Sequence, residues 1–115
     1  MVEPTPFKRP INWDQLRTDE AERLIRERAA TTGNVIFGVH AYDRIEERSI
    51  IQSDVYRILR TGFVEGTPAR NEEGNWEAVV TKRMSGGREA GVVTIILSEN
   101  EYLFVKTVQW MDFSR

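Results

Sequence analysis

The hydrophobic pattern of this chain changes period at Gly62, and this change limits the folds that the chain can adopt. Before Gly62, apolar residues recur three and four positions apart, as on one face of a helix. After Gly62, apolar and polar residues alternate, which is typical of half-buried strands. Short breaks rich in Gly, Asn and Ser separate these segments, so neighbouring strands should be antiparallel. The sequence predicts an α+β domain with N-terminal helices on one face of a three- to four-stranded, mainly antiparallel sheet.

Capping and stop signals set the limits of three predicted helices. The helices run from a cap at Thr18 or Asp19 to about Thr31, from about 41 to 48, and from a cap at Ser53 to a stop at Gly62. Residues 35–37 are interpreted as a short apolar link between the first two helices. The helices should pack on the sheet through their apolar stripes.

The alternating region predicts four strands, the first of them short. They cover residues 63–66, 76–84, 91–98 and 102–110. The positions predicted to meet the helices are Trp76, Ala78, Val80, Met84, Val93, Ile95, Leu97, Tyr102, Phe104, Val108 and Trp110. The opposite positions include Thr81, Arg83, Thr94, Thr107 and Gln109. This second set is interpreted either as an ordinary exposed sheet face or as a shallow polar platform for a ligand.

Composition indicates one domain and excludes several kinds of site. The prolines at 4, 6 and 10 predict an extended tail over residues 1–12, followed by a single domain over residues 13–115. The chain has no cysteine and one histidine, so we expect no disulfide, no transition-metal site and no cofactor. It has no apolar run long enough to span a bilayer and no apolar signal-peptide core. We therefore expect a cytoplasmic protein without a membrane partner.

The net charge of −2 restricts how the protein could contact nucleic acid. A domain that binds RNA with its whole surface is usually basic. Any contact with RNA must therefore use a local basic patch, with weak long-range attraction.

The only histidine, His40, begins a stretch in which Arg44 and Arg48 follow at intervals of four residues. In a helix this spacing places the three side chains on one face. A histidine transfers protons near neutral pH, and arginines bind phosphate. The structural alternative is that the arginines pair with neighbouring carboxylates while His40 caps the helix. The spacing leaves both interpretations open.

The same stretch resembles a known family. The pattern is His-Ala-x-x-Arg-x-x-x-Arg-x-Ile, then a Ser-x-Asp-Val helix start and a helix that ends in Gly. It is formed by His40, Ala41, Arg44, Arg48, Ile50, Ser53, Asp54, Val55 and Gly62, with weaker matches at 74–76 and 107–110. It resembles the DUF4258 family over roughly residues 18–110. That family is similar in layout to RelE-like and MqsR-like bacterial ribonuclease toxins, with a RelE- or barnase-like fold.

The resemblance implies a metal-independent endoribonuclease that cleaves RNA by attack of the 2′-hydroxyl, with RNA and a cognate antitoxin or other protein as partners. The candidate catalytic residues are His40, Arg44, Lys82 and Tyr102, with Glu47 as the alternative second proton-transfer group. The candidate RNA-binding residues are Arg48, Arg83, Lys106, Thr107 and Gln109. A single histidine excludes a two-histidine mechanism. The rival hypothesis is a non-catalytic protein-binding or regulatory module of phage or mobile-element origin with the same fold.

Overall fold

A computed structural model describes residues 11–111 as three helices packed on a five-stranded sheet. The elements are α1 (Thr18–Ala29), β1 (Val35–Phe37), α2 (Val39–Arg48), α3 (Gln52–Thr61), β2 (Phe63–Arg70), β3 (Trp76–Arg83), β4 (Glu89–Ile96) and β5 (Leu103–Trp110). The strand order across the sheet is β1-β5-β4-β3-β2. The predicted α+β class is confirmed.

The segment interpreted as an apolar link, Val35–Phe37, is the edge strand β1. It pairs in parallel with β5, with Val35 beside Leu103 and Phe37 beside Val105. The sheet therefore has five strands rather than three or four. A three-residue strand is too short for its period to be recognised, and its partner lies at the other end of the chain.

Two helix starts differ from the predicted caps. The N-cap of α1 is Arg17, and the N-cap of α3 is Ile51 rather than Ser53. The Asp54 carboxylate accepts a hydrogen bond from the Ile51 backbone N–H at 3.3 Å. The Asp54 side chain therefore satisfies the N–H of the N-cap residue, and Ser53 lies inside the first turn rather than before it.

The predicted orientation of β4 is wrong. Val80 of β3 lies opposite Val92, and Ala78 lies opposite Thr94. Directly opposite residues share a sheet face, so Val92 and Thr94 face the helices. Both are fully buried, while Ile95 on the other face is half-buried. Because β4 carries β-branched or apolar residues on both faces, its pattern did not indicate which face is inside.

A β-bulge at Lys106 reverses the alternation of β5. Thr94 pairs with Val105 and Val93 with Thr107, so Lys106 is the extra residue. Val105 before the bulge and Val108 after it can therefore both be buried against the helices. Tyr102 and Phe104 were predicted to face the helices, but Phe104 shares the opposite face with Ile95. The bulge also places the Lys106 side chain outside the core.

Side chains of α1 close the free edge of β2. Thr18 Oγ1 donates to the Gly66 carbonyl at 3.0 Å, and Arg26 Nη2 donates to the Gly62 carbonyl at 2.6 Å. Between them, Glu22 Oε1 accepts from the backbone N–H of Val64 at 2.9 Å. These α1 residues are four positions apart and lie on one helix face. They satisfy edge groups that would otherwise be open to another strand.

Most of the predicted tail, residues 1–12, lies outside the described residues. Within the described part, Ile11 and Trp13 pack against the core. The Trp13 carbonyl accepts hydrogen bonds from Trp76 Nε1 at 2.7 Å and from Arg70 Nη2 at 2.6 Å. The chain is therefore tied to β2 and β3 from Trp13 onward.

Candidate functional site

Helix α2 lies along the edge of β5 beyond the end of β1. The Gly38 N–H donates to the Val105 carbonyl at 3.0 Å, and Arg48 Nη1 donates to the Val108 carbonyl at 2.6 Å. Ala41 is fully buried between these two contacts. One face of α2 therefore packs on β5 from its first turn to its last.

Helix geometry then fixes the direction of His40 and Arg44. The Tyr42 ring packs against the Phe37 ring, with the ring centres 5.5 Å apart. The Phe37 ring also packs against Tyr56 of α3, with the ring centres 5.7 Å apart. Tyr42 therefore points toward the helix layer. Successive residues are about 100° apart around a helix, so His40 lies on the opposite side of Ala41 from Tyr42. His40 and Arg44 consequently face the side of the sheet that the helices leave uncovered, here called the outer face.

His40 is exposed and makes no hydrogen bond or ion pair with the residues that the structure describes. It does not cap α2, whose N-cap is Gly38. Arg44 Nη1 lies 2.6 Å from Glu47 Oε2, so this arginine forms one of the helix-face pairs of the structural alternative. His40, which has no partner among the described residues, therefore lies one helical turn from the Arg44 guanidinium, and the Glu47 carboxylate orients that guanidinium.

Arg48 has a structural position. Besides its bond to Val108, its carbonyl accepts a hydrogen bond from Trp110 Nε1 at 2.9 Å. It is thus joined to β5 through both its side chain and its backbone. Arg48 positions α2, and its guanidinium is already engaged by the protein itself.

The outer face carries several of the predicted RNA-binding residues. Thr107 lies opposite Val93 and Gln109 opposite Gly91, and both threonine and glutamine are half-buried. The exposed Lys106 forms an ion pair with Glu77 of β3 at 3.3 Å. The predicted polar platform is only partly formed, because Thr94 is fully buried on the helix side.

A groove of ≈ 540 Å³ crosses the outer face near the β2–β3 turn. It is lined by Ala69, Arg70, Asn71, Glu72, Glu73, Glu77, Ile95, Phe104 and Lys106. Ile95 and Phe104 supply apolar surface, and the three glutamates outnumber the two cations. Phosphate groups are therefore disfavoured in this groove, whereas a cationic group is favoured.

The remaining predicted catalytic residues lie far apart. Lys82 is opposite Ala90, which in turn is opposite Trp110 at the end of β5. Tyr102 immediately precedes the start of β5, and its carbonyl accepts from Arg28 Nη1 at 3.1 Å. The length of β5 separates these positions by roughly 24 Å at about 3.4 Å per residue. His40 and Arg44 are thus close together, while Lys82 and Tyr102 lie toward opposite ends of the sheet.

Sequence reasoning missed two residues beside the α2–β5 junction. Glu77 forms an ion pair with Lys106. The Phe104 ring lies so close to Gly38 that a Cβ atom on residue 38 would be 2.6 Å from the ring. The only sequence signal for Glu77 was its place on the outer face in the alternation of β3. For Phe104, the bulge at Lys106 concealed the corresponding signal.

Within residues 11–111, no group of three or more metal-ligating side chains converges. No helix in the same range is both long and apolar enough to cross a bilayer.

The fold and this junction define a small α+β domain with an exposed His–Arg pair beside an open sheet face. The model of a family described as a domain of unknown function, DUF4258, matches residues 37–110, which is more than half of the chain. The chain belongs to the DUF4258 family. The matched segment holds α2, α3 and strands β2 to β5. Comparison with curated proteins and with solved structures gives no match.

Proposed function

We propose that this protein is a metal-independent endoribonuclease of the toxin type, with its active site at the junction of α2 and β5. The observation that carries the proposal is the position of His40 and Arg44. They lie one turn apart on the side of α2 that borders the outer face, and His40 has no partner among residues 11–111. Lys106 is on the adjoining strand.

RNA cleavage by its own 2′-hydroxyl needs three contributions from the protein. One group must remove the hydroxyl proton, donors must stabilise the charge on the phosphorane, and another group must protonate the leaving 5′-oxygen. His40 performs one of the proton transfers. Arg44 binds the phosphorane oxygens, because its planar donors match phosphate geometry. Lys106 contributes less, because its ion pair with Glu77 at 3.3 Å offsets its charge on the outer face.

Glu47 is the second proton-transfer group in this proposal. Its carboxylate touches Arg44 at 2.6 Å, so it lies on the same side of α2 as the reacting phosphate would. Tyr102 is less suitable because it lies at the start of β5, next to Arg28. The pair Arg44–Glu47 also limits the orientations of the guanidinium, which reduces the ordering needed when substrate binds.

The experiment is an RNA cleavage assay in EDTA with wild-type protein and the variants His40→Ala and Arg44→Ala. Products should carry 2′,3′-cyclic phosphate ends, which follow from attack by the 2′-hydroxyl. Arg23→Ala is the matched control for Arg44→Ala, because Arg23 pairs with Glu27 at 3.3 Å on α1, as Arg44 does with Glu47 on α2. Cleavage that persists in both α2 variants would remove the junction from the mechanism.

The acidic groove favours a second candidate function, a non-catalytic module that binds another protein. Its apolar surface at Ile95 and Phe104, with Glu72 and Glu73 at the rim, fits a segment with apolar and basic side chains. A peptide that alternates leucine and lysine tests this by titration calorimetry. Binding should weaken in the double variant Glu72→Gln/Glu73→Gln and be unchanged in Glu99→Gln, which lies on the β4–β5 turn outside the groove. Equal binding by both variants would dismiss this candidate.

A further inference from the structure

A second pocket lies at the other end of β5, between α3 and the turn at Ser85–Gly87. Its volume is ≈ 150 Å³, and it is lined by Ile50, Asp54, Arg57, Met84, Ser85, Ala90 and Trp110. The start of α2 lies beside Val105, and Trp110 is five residues further along β5. At about 3.4 Å per residue, this separation is roughly 17 Å. Neither His40 nor Arg44 lines this pocket, and His40 lies at the far end of α2 from it.

Three cations at this end of the molecule have no counterion among residues 11–111. Arg57, Lys82 and Arg83 make no side-chain hydrogen bond or ion pair with the residues that the structure describes. Lys82 is half-buried and lies opposite Ala90, which lines the pocket, although Lys82 is not itself a lining residue. A half-buried ammonium without a partner is poorly solvated, so it gains more from an anionic ligand than an exposed lysine does.

The carboxylates nearby do not neutralise these cations. Asp54 accepts the hydrogen bond from the Ile51 N–H at the start of α3. Glu89 lies opposite Arg83 on the neighbouring strand, and the two form no ion pair. On the face of the sheet that borders the pocket, Arg57 and Lys82 therefore stand against one carboxylate, Asp54, whereas Arg83 and Glu89 lie on the outer face.

The Trp110 side chain is held in place, so it forms a rigid wall of the pocket rather than a surface on which a base stacks. The Arg88 guanidinium lies over the indole ring at 3.9 Å, and the indole N–H donates to the Arg48 carbonyl at 2.9 Å. One face of the ring and its only donor are thus occupied. The pocket offers a ligand fixed apolar walls, the Ser85 hydroxyl and the Arg57 guanidinium, with the Asp54 carboxylate as its one negative group.

We propose that this pocket binds a backbone phosphate of single-stranded RNA, as a second subsite remote from the cleavage site. The proposal rests on the proposed function, and it assigns Lys82 to RNA binding rather than to catalysis. A phosphodiester matches the charge, and Arg57 can bind two of its oxygens at once. Contacts to phosphate hold a strand in register without reading its sequence, so the subsite would position the strand relative to His40.

The test is binding of single-stranded RNA that is fully 2′-O-methylated, measured by fluorescence anisotropy over a series of salt concentrations. This RNA cannot undergo 2′-hydroxyl attack, so binding is measured apart from cleavage. The double variant Arg57→Gln/Lys82→Gln should weaken binding about tenfold and lower the salt slope by about 1.4, because each phosphate that a cation neutralises on a single strand contributes about 0.7 to that slope. The control Arg17→Gln/Arg23→Gln removes the same charge from the N-cap and the body of α1 and should leave the slope unchanged.

Because Lys82 is half-buried, Arg57→Gln alone is measured too, since Arg57 is exposed and its replacement should not disturb folding. It should lower the slope by about 0.7. An unchanged slope in both pocket variants, an equal effect of the α1 control, or no RNA binding by the wild type would each overturn the proposal. Pocket-dependent binding by a protein that does not cleave RNA in EDTA would retain the subsite and dismiss the ribonuclease.

Discussion

Arg48 Nη1 donates a hydrogen bond of 2.6 Å to the carbonyl oxygen of Val108, and this bond fixes α2 on the edge of β5. The Trp110 indole returns a hydrogen bond to the Arg48 carbonyl at 2.9 Å. Residues from two distant parts of the chain are thereby joined by two bonds. The direction of His40 and Arg44 toward the outer face depends on this attachment.

Arg48→Ala should lower the free energy of unfolding by about 1.5–3 kcal/mol, because a charged donor to a part-buried carbonyl is removed. Urea denaturation measures the change. Arg44→Ala is the comparison, since a surface ion pair contributes only about 0–1 kcal/mol. If Arg44→Ala proves the more destabilising of the two, the structural position of Arg48 is wrong.

His40→Ala and Arg44→Ala should each lower the rate of RNA cleavage by roughly a hundredfold, the usual effect of losing a proton-transfer group or a charge-stabilising donor. Arg48→Ala should lower the rate less, because Arg48 acts only through the position of α2. Initial rates on one RNA substrate, together with thermal melts of each variant, separate catalysis from folding. A loss of activity that follows stability across the three variants would favour a structural role for His40.

Cleavage should persist after metal chelation, because the proposed chemistry uses only side chains of α2 and β5. The measurement compares rates before and after dialysis against EDTA. Dialysis into buffer without chelator is the control for loss of activity with time. Activity that disappears and returns with a divalent cation would contradict the mechanism.

Gly38→Ala should destabilise the protein by about 1–3 kcal/mol, the usual cost of overpacking. The new Cβ would lie 2.6 Å from the Phe104 ring and 3.3 Å from the Val105 carbonyl oxygen, where α2 begins. Gly33→Ala is the control, since a Cβ there meets nothing within 4 Å. Thermal melts should rank Gly38→Ala clearly below Gly33→Ala, and equal melting temperatures would mean that the ring moves aside freely.

Trp76→Ala should cost about 3–5 kcal/mol, whereas Phe104→Ala should cost only about 1–2 kcal/mol. Trp76 packs against the core and donates to the Trp13 carbonyl at 2.7 Å. Phe104 is half-buried on the outer face, contrary to its predicted position against the helices. Chemical denaturation of both variants gives the comparison, and a Phe104→Ala destabilisation as large as that of Trp76→Ala would indicate that the outer face is covered.

Local pattern was sufficient to predict the class of this fold. The apolar spacing of Ala21, Leu24 and Ile25 predicted α1, and those residues are buried as expected. The alternation after Gly62 and the short turn-forming breaks predicted the antiparallel strands, although the period is clear in β3, absent in β4 and interrupted by the bulge in β5. These features depend on neighbours within a few positions, which is why they can be recognised in the sequence.

The pairing of distant segments decided the rest. β1 is a strand only because β5 lies beside it, and β4 faces the helices through Val92 because of its register with β3. The four-residue spacing placed His40 and Arg44 on one helix face, but only the attachment of α2 to β5 turned that face toward the outer face of the sheet. Likewise, the separation of Lys82 from His40 follows from strand order. Such relationships arise from hydrogen bonds between residues far apart in the chain, so the local hydrophobic pattern of the sequence does not predict them.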